Sequence, residues 1–389
     1  MKILANRMDL GFKKHQDEYE EAAIRVLRSG WYILGKEMQS FEEEFAAYNS
    51  ITSSKNKADS FCCTGITEQC DSTKVYCAGV ASGLDALWIG IRMLGIGAGD
   101  EVIVQGNTYI ASVMGITMNG ATPVFVEPDE NSQIDIDAIE KNITDKTKAV
   151  MVVHLYGQVT DMTRIVDICK RNGLYLIEDC AQAHGAMWKG QKVGTFGDVG
   201  CFSFYPTKNM GAFGDAGAVI SHDPNFIEEV KTYRNYGSHK HYYNKVVGAN
   251  SRLDEMQAAL LKVRLKYMDE ITDERRKLAQ RYSERINNAD IITPVEVDNS
   301  YAVWHQYVIR CKSRDKLIEY LNEKNIGSII HYPVPPHLQE AYAYLGHKEG
   351  EYPITEEYAK EVLSIPMYNG MSEEEQDYVI DALNGFKCD

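Results

Sequence analysis

The order of apolar and amphipathic segments between residues 74 and 177 constrains the fold of this chain more than any other feature. Short apolar runs, each typical of a buried strand, alternate there with segments of helical periodicity. The predicted strands are 74–80, 101–104, 123–126, 149–154 and 174–177, and the predicted helices are 84–94, 110–119, 161–171 and one that begins at Asp135. This alternation predicts an α/β fold with a mostly parallel sheet covered by helices on both faces. Ligands of such sheets bind beyond the carboxyl ends of the strands.

The flanking segments predict a second, smaller domain. Residues 1–250 are expected to form the large domain, which begins with helices at 17–28 and 37–48 and carries an irregular surface insertion at about 49–73. Residues 251–389 are expected to form a linking helical stretch and a smaller C-terminal α+β domain. The elements predicted there are a helix at 251–287, strands at 301–311 and 326–332, helices at 314–324 and 355–363, and a last helix opened by the capping box Ser372–Glu375.

Composition and charge exclude several classes of partner. The formal net charge is -15, whereas binding to nucleic acid or to an anionic membrane requires positive surface charge. No apolar run approaches a membrane-spanning length, and the first residues lack the apolar core of a signal peptide, which predicts a cytoplasmic protein. Nine cysteines in a long chain, several of them in predicted buried segments, favour reduced thiols over a disulfide framework.

One lysine, Lys208, lies in a glycine-rich segment that follows the apolar, aromatic run 199–205. Pro206 ends the predicted strand, so the lysine is expected on a loop at the strand end. Poor solvation at such a place favours the neutral amine, which can form a Schiff base with a carbonyl group. A surface lysine without a chemical role is the alternative.

Four more side chains lie near the ends of predicted strands. Asp179 directly follows a buried strand, where its carboxylate needs a cationic partner such as a protonated pyridine nitrogen. Gln182 can donate to a ring oxygen from the same loop, Ser203 can bind a phosphate, and Tyr109 can stack on a flat ring. The alternatives are an aspartate that caps the next turn and a tyrosine that packs on the core.

Two further segments favour anion binding. Ser82 and Gly83 form the turn from a strand into a helix, and the free N–H groups of a helix start can hold a phosphate. Ser82 as a simple helix cap is the alternative. Residues 234–245 interleave basic and aromatic side chains, which suit a diphosphate and a base or sugar, or else form a solvated loop.

Three long motifs, at residues 178–185, 197–209 and 248–259, resemble the sugar aminotransferases of the DegT/DnrJ/EryC1 family. The similarity extends from residue 25 to residue 339, which is nearly the whole chain. The resemblance implies a fold-type I architecture like that of aspartate aminotransferase, pyridoxal 5'-phosphate (PLP) as cofactor, and a homodimer with active sites at the subunit interface.

The family pattern implies a role for each matching position. Lys208 would be the Schiff-base lysine, and Asp179 would pair with the pyridine nitrogen. The other implied cofactor contacts are Gln182 to the ring hydroxyl, Ser203 and the Ser82–Gly83 turn to the phosphate, Tyr109 over the ring, and Asn250 to the phosphate from the other subunit. Many relatives have threonine where this chain has Leu84, so one hydroxyl often offered to the phosphate is missing here.

Segments 31–35, 234–238 and 330–337 resemble enzymes that aminate C3 of dTDP-3-keto-6-deoxyhexoses. This finer resemblance implies L-glutamate as amino donor and a dTDP-3-amino-3,6-dideoxyhexose product for a surface polysaccharide. The substrate contacts that it implies are Tyr32, Arg234, Tyr236 and His331. The competing enzyme class is a C4 aminotransferase that acts on UDP- or GDP-linked ketosugars.

The same residues argue against two other classes of function. The related sugar 3-dehydratases carry histidine where this chain has Lys208, which argues against dehydration. A non-catalytic regulator of the same fold is expected to have lost Lys208, Asp179 or Gln182, and all three are present. The cysteines of the insertion and Cys77 beyond it fit no usual zinc spacing, so no metal is expected.

Overall fold

A central sheet of seven strands organises the structure, a computed structural model that describes residues 1–50, 73–240 and 242–388. In spatial order the strands are Tyr76–Val80, Gly217–Ser221, Val199–Ser203, Tyr175–Asp179, Thr147–Val153, Glu101–Gln105 and Thr122–Val126. Only Gly217–Ser221 runs antiparallel to its neighbours among these strands. The predicted mostly parallel α/β sheet is therefore confirmed. The predicted insertion, with its cysteines Cys62, Cys63 and Cys70, lies outside the described residues apart from positions 49, 50 and 73.

Helices cover both faces of this sheet, as the sequence predicts. Alternate side chains of one strand enter two different buried clusters: Val102 and Val104 belong to one, and Ile103 belongs to the other. Strands buried on both faces need nearly continuous apolar sequence, which is what the predicted strands have. The helices of this part are Met8–Lys14, Gln16–Ser29, Lys36–Asn49, Gly83–Met93, Ile110–Thr117, Ile136–Ile139, Met162–Asn172 and Pro224–Tyr233.

The C-terminal part of the chain builds a third buried cluster of its own. Most members lie between Leu278 and Phe386, and Ile3 joins them from the N-terminus. Strand Tyr307–Arg310 pairs antiparallel with Val362–Ile365 beside this cluster. The helices here are Glu255–Leu265, Met268–Arg285, Arg314–Glu323, Pro353–Glu361 and Glu373–Gly385. A domain boundary near residue 250 stays a prediction, since residues from 253 to 271 also pack against the large sheet.

Small elements complete the structure. Ser238–Lys240 pairs with Tyr243–Asn244, and Ser300–Tyr301 joins Met187–Trp188 and Gln191–Lys192 in a three-stranded sheet. Short 3-10 helices occur at Glu140–Asn142, Leu155–Gly157, Pro336–Leu338 and Glu340–Leu345. Of the helices in the described ranges, none has the length and apolar character needed to cross a membrane.

Four local predictions for the C-terminal part are wrong or hold only in part. The predicted helix 251–287 is two helices that separate near Tyr267, whose φ of -108° is not helical. The predicted strand 301–311 is interrupted at Trp304, which has a φ of 46°. The predicted strand 326–332 forms only isolated bridges, because Ile326 pairs with the N-terminal segment and Ile329 with Ser364. Finally, the helix predicted at 355–363 is present as Pro353–Glu361, but its last two predicted residues belong to the strand that follows directly.

Two helix ends match their sequence signals. Helix Gln16–Ser29 stops at Gly30, which adopts the left-handed conformation with a φ of 70°. Ser372 and Glu375 form the predicted reciprocal capping box at the start of the last helix. These local signals succeed because both partners lie within a few residues of each other in the chain.

Candidate active site

A cavity of about 460 Å³ lies beyond the carboxyl ends of the parallel strands. It receives side chains from the loops after five strands and from the loops of the C-terminal part. The predicted site residues that line it are Ser82, Gly83, Tyr109, Asp179, Gln182, Ser203, Lys208 and His331. Residues more than a hundred positions apart in sequence thus meet in one place.

Lys208 lies on the loop that follows strand Val199–Ser203, as predicted. Its backbone N–H donates to the Tyr205 carbonyl at 2.8 Å, which makes a tight turn and directs the side chain into the cavity. Burial lowers the pKa of the Lys208 amine to about 8, although the negative charge of Asp179 opposes this shift. A substantial neutral fraction near neutral pH is the property that a nucleophilic lysine needs.

Asp179 is the last residue of strand Tyr175–Asp179 and is almost fully buried. Its Oδ2 accepts a hydrogen bond from the Ser112 hydroxyl at 2.8 Å, and its Oδ1 accepts one from the Ala181 N–H at 3.1 Å. Burial raises the pKa of the Asp179 carboxyl, while these two hydrogen bonds and the charge of Lys208 act in the opposite direction. The buried carboxylate is therefore a ready partner for a cationic ring nitrogen.

Gln182 is held by two hydrogen bonds that define how its amide faces the cavity. Its Oε1 accepts from the Tyr156 N–H at 2.6 Å, and its Nε2 donates to the Tyr332 hydroxyl at 3.0 Å. The amide nitrogen has a second N–H to offer to a ligand. The Tyr332 ring lies 5.1 Å from that of Tyr109, which is 52% exposed, so two aromatic rings stand beside this amide.

The opposite end of the cavity is the start of helix Gly83–Met93. The Ser82 hydroxyl caps this helix by accepting from the Asp85 N–H at 3.1 Å, so the cap that the sequence offered as an alternative is present. The N–H groups of Gly83 and Leu84 precede that bond and have no partner within the helix. A β-carbon on Gly83 would lie 2.4 Å from the Ser203 Cβ, so a side chain here would fill the space between the helix start and Ser203.

These features together fit PLP. The buried Asp179 carboxylate can meet the protonated nitrogen of the cofactor ring, and the Gln182 amide can meet its hydroxyl. The Tyr109 ring can lie over the cofactor ring. The glycine at the helix start leaves a cradle for the phosphate, with Ser203 on its other side. Leu84 can offer the phosphate only its backbone N–H, because its side chain has no hydroxyl.

His331 lines the cavity with both ring nitrogens already engaged. Nδ1 lies 2.8 Å from the Ser364 hydroxyl, and Nε2 lies 3.1 Å from Nε2 of Gln306. With the Gln306 amide in this orientation, its nitrogen donates to Nε2 of His331, and Nδ1 then carries the proton. Burial and the charge of Lys208 lower the pKa of His331 to about 4, which keeps the ring neutral. Its imidazole can meet a substrate only by contact of the ring, unless Gln306 moves away.

Arg234 does not reach the cavity, which corrects the prediction that its guanidinium meets the substrate. The side chain is buried, and its Nη1 donates to a carboxylate oxygen of Glu42 and to the Gly79 carbonyl. Glu42 also accepts from the Gly79 N–H at 2.8 Å, so the ion pair ties helix Lys36–Asn49 to the first strand. A guanidinium used in this way has a structural role.

Three other predicted residues lie on the surface outside the cavity. Tyr32 and Tyr236 are each 52% exposed, and Asn250 is exposed as well. The Tyr32 hydroxyl donates to the Leu27 carbonyl at 3.2 Å, and the Tyr236 ring lies 5.4 Å from the Arg252 guanidinium carbon. Within a single chain these side chains are therefore not part of the site.

Sequence reasoning missed several residues that the cavity contains. Ser112 and Tyr332 are the clearest, because each contacts a predicted site residue directly. Ser112 follows Tyr109 by three positions at the start of a helix, a spacing that places both on one turn. Tyr332 is the immediate neighbour of His331. Local spacing was thus a usable signal for Ser112, while the contact of Tyr332 with Gln182 depends on tertiary packing.

Among the described residues, His154, Glu178 and Cys180 form a buried group of ligand types with atoms within 4.8 Å of one another. Glu178 accepts from the N–H groups of Gly194, Phe196 and Gly197 at 2.8 Å each, and His154 Nε2 lies 3.0 Å from Glu178 Oε2. The carboxylate oxygens are already occupied by amide donors. The donor set is therefore that of a buried hydrogen-bond network and does not fit a metal ion.

Comparison with known proteins agrees with this geometry. The sequence profile of the DegT/DnrJ/EryC1/StrS aminotransferase family matches residues 70–384. The dTDP-3-amino-3,6-dideoxy-alpha-D-galactopyranose transaminase of Aneurinibacillus thermoaerophilus is 48% identical over 96% of both chains. The crystal structure of S. venezuelae DesV is 40% identical, with a TM-score of 0.91 over 98% of both chains. The PLP form of the putative sugar aminotransferase Spr1654 from Streptococcus pneumoniae is 25% identical, with a TM-score of 0.83 over 95% of both chains. The chain therefore belongs to the DegT/DnrJ/EryC1/StrS aminotransferase family and is a PLP-dependent aminotransferase of fold-type I.

Proposed function

We propose that this aminotransferase moves the amino group of L-glutamate to C3 of a dTDP-linked 3-keto-6-deoxyhexose, forming a dTDP-3-amino-3,6-dideoxyhexose. The observation that carries this proposal is the similarity to the Aneurinibacillus thermoaerophilus transaminase, which extends over nearly the whole of both chains. The cavity that contains Lys208 and Asp179 supports the reaction type. The enzyme makes this product in the cytoplasm, and the product serves as a building block for a surface polysaccharide.

When bound, PLP supplies an electron sink that weakens the bonds to the α-carbon of an amino acid. Lys208 is the residue that we assign to the covalent attachment of the cofactor and to proton transfer. Its Nζ has a pKa of about 8, so near neutral pH the same amine could take up a proton from the glutamate α-carbon and deliver one to the cofactor. One group thus serves first as tether and then as acid and base.

The other site residues orient the cofactor and hold it in place. Asp179 accepts the N–H of the pyridinium ring, which requires its carboxylate to stay ionised in a buried place. Gln182 offers its second amide N–H to the ring hydroxyl, and Tyr109 covers the ring. Ser203 and the backbone N–H groups at Gly83 bind the phosphate, where the positive end of the helix dipole favours negative charge.

The proposal includes a homodimer in which each cavity is completed by the partner. Asn250 lies on the surface and outside its own cavity, which suits a residue that reaches the phosphate in the other subunit. Tyr32 and Tyr236 are exposed in the same way and are the residues that we assign to the nucleotide sugar across the interface. Val247, which is 92% exposed and close to Asn250 in sequence, is an apolar side chain that such an interface would cover.

A substrate panel tests the proposed reaction. Purified protein with PLP and L-glutamate is incubated with dTDP-linked 3-keto and 4-keto sugars and with UDP- and GDP-linked 4-ketosugars, and the new amine is located by NMR. We expect amination at C3 of the dTDP-linked 3-ketosugar. Amination at C4 of a UDP- or GDP-linked sugar instead would establish the competing enzyme class.

The variant Lys208→Ala provides the control for catalysis. It is expected to lose turnover and the visible absorbance of the bound cofactor, because no other residue is assigned to hold the cofactor covalently. Full activity in this variant would contradict the proposed mechanism. An inactive wild-type protein that binds PLP normally would instead favour a regulator that keeps the fold without the chemistry.

A further inference from the structure

Three buried side chains, those of Thr108, Ser112 and Asp179, form a continuous hydrogen-bonded chain next to the part of the cavity that Tyr109 lines. The Thr108 hydroxyl lies 2.7 Å from that of Ser112, and the Ser112 hydroxyl donates to Oδ2 of Asp179 at 2.8 Å. Thr108 and Ser112 are 1% and 0% exposed, so water does not compete for these bonds. The sequence alone predicts no role for Thr108 or Ser112.

The direction of this chain follows from the chemistry of its end. An ionised carboxylate only accepts, so the single hydrogen of Ser112 points to Asp179. The oxygen of Ser112 then has only lone pairs to offer to Thr108. The Thr108 hydroxyl must therefore donate, which fixes both hydroxyl hydrogens in one orientation. Such a chain strengthens its terminal bond, because each donor polarises the next in a poorly solvated place.

We propose that Thr108 and Ser112 are positioning residues that hold the Asp179 carboxylate ionised and correctly oriented for the ring nitrogen of the cofactor. The proposal rests on the role assigned to Asp179 in the proposed function. We call the hydrogen-bonded chain from Thr108 through Ser112 to Asp179 the relay. Besides this relay, the charged and titratable groups that act on the Asp179 carboxylate are Lys208 and His154. Neither of these donates a hydrogen bond to it, since the bonds to the two oxygens come from Ser112 and the Ala181 N–H.

The same short turn also places the ring over the cavity. Tyr109 is the N-cap of helix Ile110–Thr117, and its carbonyl accepts from the Ser112 N–H at 3.1 Å. The side chains of Thr108 and Ser112, on either side of it in sequence, are buried, while the Tyr109 side chain is half exposed where it lines the cavity. A single turn therefore positions both Tyr109, which we assign to the face of the cofactor ring, and Ser112, which supports the Asp179 carboxylate at the ring nitrogen.

Removal of the donor is the direct test. Ser112→Ala is expected to bind PLP about tenfold more weakly, which is the effect of losing one hydrogen bond to a charged group. Its affinity is measured by titration of the apoprotein with PLP. The bound cofactor is expected to show a changed ratio of visible to near-ultraviolet absorbance. Ser112→Thr keeps a hydroxyl and is expected to restore both properties, and Thr108→Val is expected to weaken binding about threefold.

A matched control lies on the same helix. Thr117→Val removes a hydroxyl that contacts Tyr342 at 3.1 Å and lies away from the cavity, so PLP affinity and absorbance are expected to stay unchanged. Should Ser112→Ala fail to fold, Ser112→Cys carries the same expectation, because a thiol is a weak donor.

Three outcomes separate the relay from the role of Asp179. If Ser112→Ala behaves as the wild type while Asp179→Asn loses PLP affinity, the relay is wrong and the Asp179 assignment stands. If Asp179→Asn also behaves as the wild type, the assignment in the proposed function fails. Weaker binding in Ser112→Ala that Ser112→Thr does not rescue would also overturn the relay, because it would indicate a packing effect.

Discussion

Gly83 and Ser203 approach each other so closely that a β-carbon on Gly83 would lie 2.4 Å from the Ser203 Cβ and 3.0 Å from its Cα. Real β-carbons do not come this near to another carbon, and the Ser203 backbone belongs to the central sheet. The two residues come from the first and the sixth strand-to-loop junctions of that sheet in chain order. Their proximity shapes the end of the cavity that we assign to the cofactor phosphate.

Gly83→Ala is therefore expected to damage the site. Alanine is the better helix former by about 1 kcal/mol, but overpacking against a sheet costs about 1–3 kcal/mol. We expect net destabilisation in urea and a PLP affinity at least about tenfold lower, because the helix start must move away from Ser203. Gly97→Ala is the control: its β-carbon would meet only the Asn119 carbonyl at 3.5 Å. If the two variants had the same stability and the same PLP affinity, the assignment of the Gly83–Ser203 contact to the phosphate site would be contradicted.

The pH dependence of cofactor attachment follows from the lowered pKa of Lys208. Only the neutral amine attacks a carbonyl, and below the pKa the neutral fraction falls about tenfold per pH unit. The rate at which apoprotein reacts with PLP should therefore rise with pH and level off above about 8, instead of near the ordinary value of 10.5. Stopped-flow absorbance measures this rate, with Lys208→Ala as the blank for other lysines.

Asp179→Asn provides a directional check on the same measurement. The charge of Asp179 raises the pKa of Lys208, while burial lowers it. Removal of that charge should move the midpoint of the rate profile to lower pH. A midpoint that stays in place or moves upward would show that the two groups do not interact as the structure indicates.

The Arg234–Glu42 ion pair is expected to matter for stability. Arg234→Met removes the buried partner of the Glu42 carboxylate, which keeps Lys231 at 3.7 Å and the Gly79 N–H at 2.8 Å, so the loss is expected to be at most about 3–5 kcal/mol. Arg171→Met removes two exposed pairs, with Asp167 and Glu140, and should cost less than about 1 kcal/mol. Denaturant unfolding measures both losses. If folded Arg234→Met shows a large rise in KM for the sugar at unchanged stability, the substrate role first predicted for Arg234 would regain support.

A mixed dimer tests whether Asn250 serves the partner's cavity. A purified heterodimer of Lys208→Ala and Asn250→Ala subunits should contain one intact and one doubly altered site, and so about half of the wild-type activity. If Asn250 served its own subunit, both sites would be impaired. The heterodimer would then be no more active than half of the Asn250→Ala homodimer. Assays at limiting PLP make the loss of a phosphate contact visible.

The sequence by itself determined the class of sheet and the reaction type. Apolar strands that alternate with helices predict a parallel sheet, because strands buried on both faces must be apolar throughout. Lys208, Asp179 and Ser203 could be singled out because each comes directly after or near the end of such a strand, where ligands bind. Gly83 could be found for the same reason, as could the capping box at Ser372.

The tertiary structure decided what depends on contacts between distant segments. The sequence could not show that Arg234 forms a buried ion pair with Glu42, because an arginine beside tyrosines has the same local pattern whether it faces a ligand or the core. Nor could it show that Ile326 and Ile329 pair with different segments and so form no strand. The support of Asp179 by Ser112 also lies in this class. Hydrogen bonds and ion pairs are short-ranged, so their partners are known only once the chain is folded.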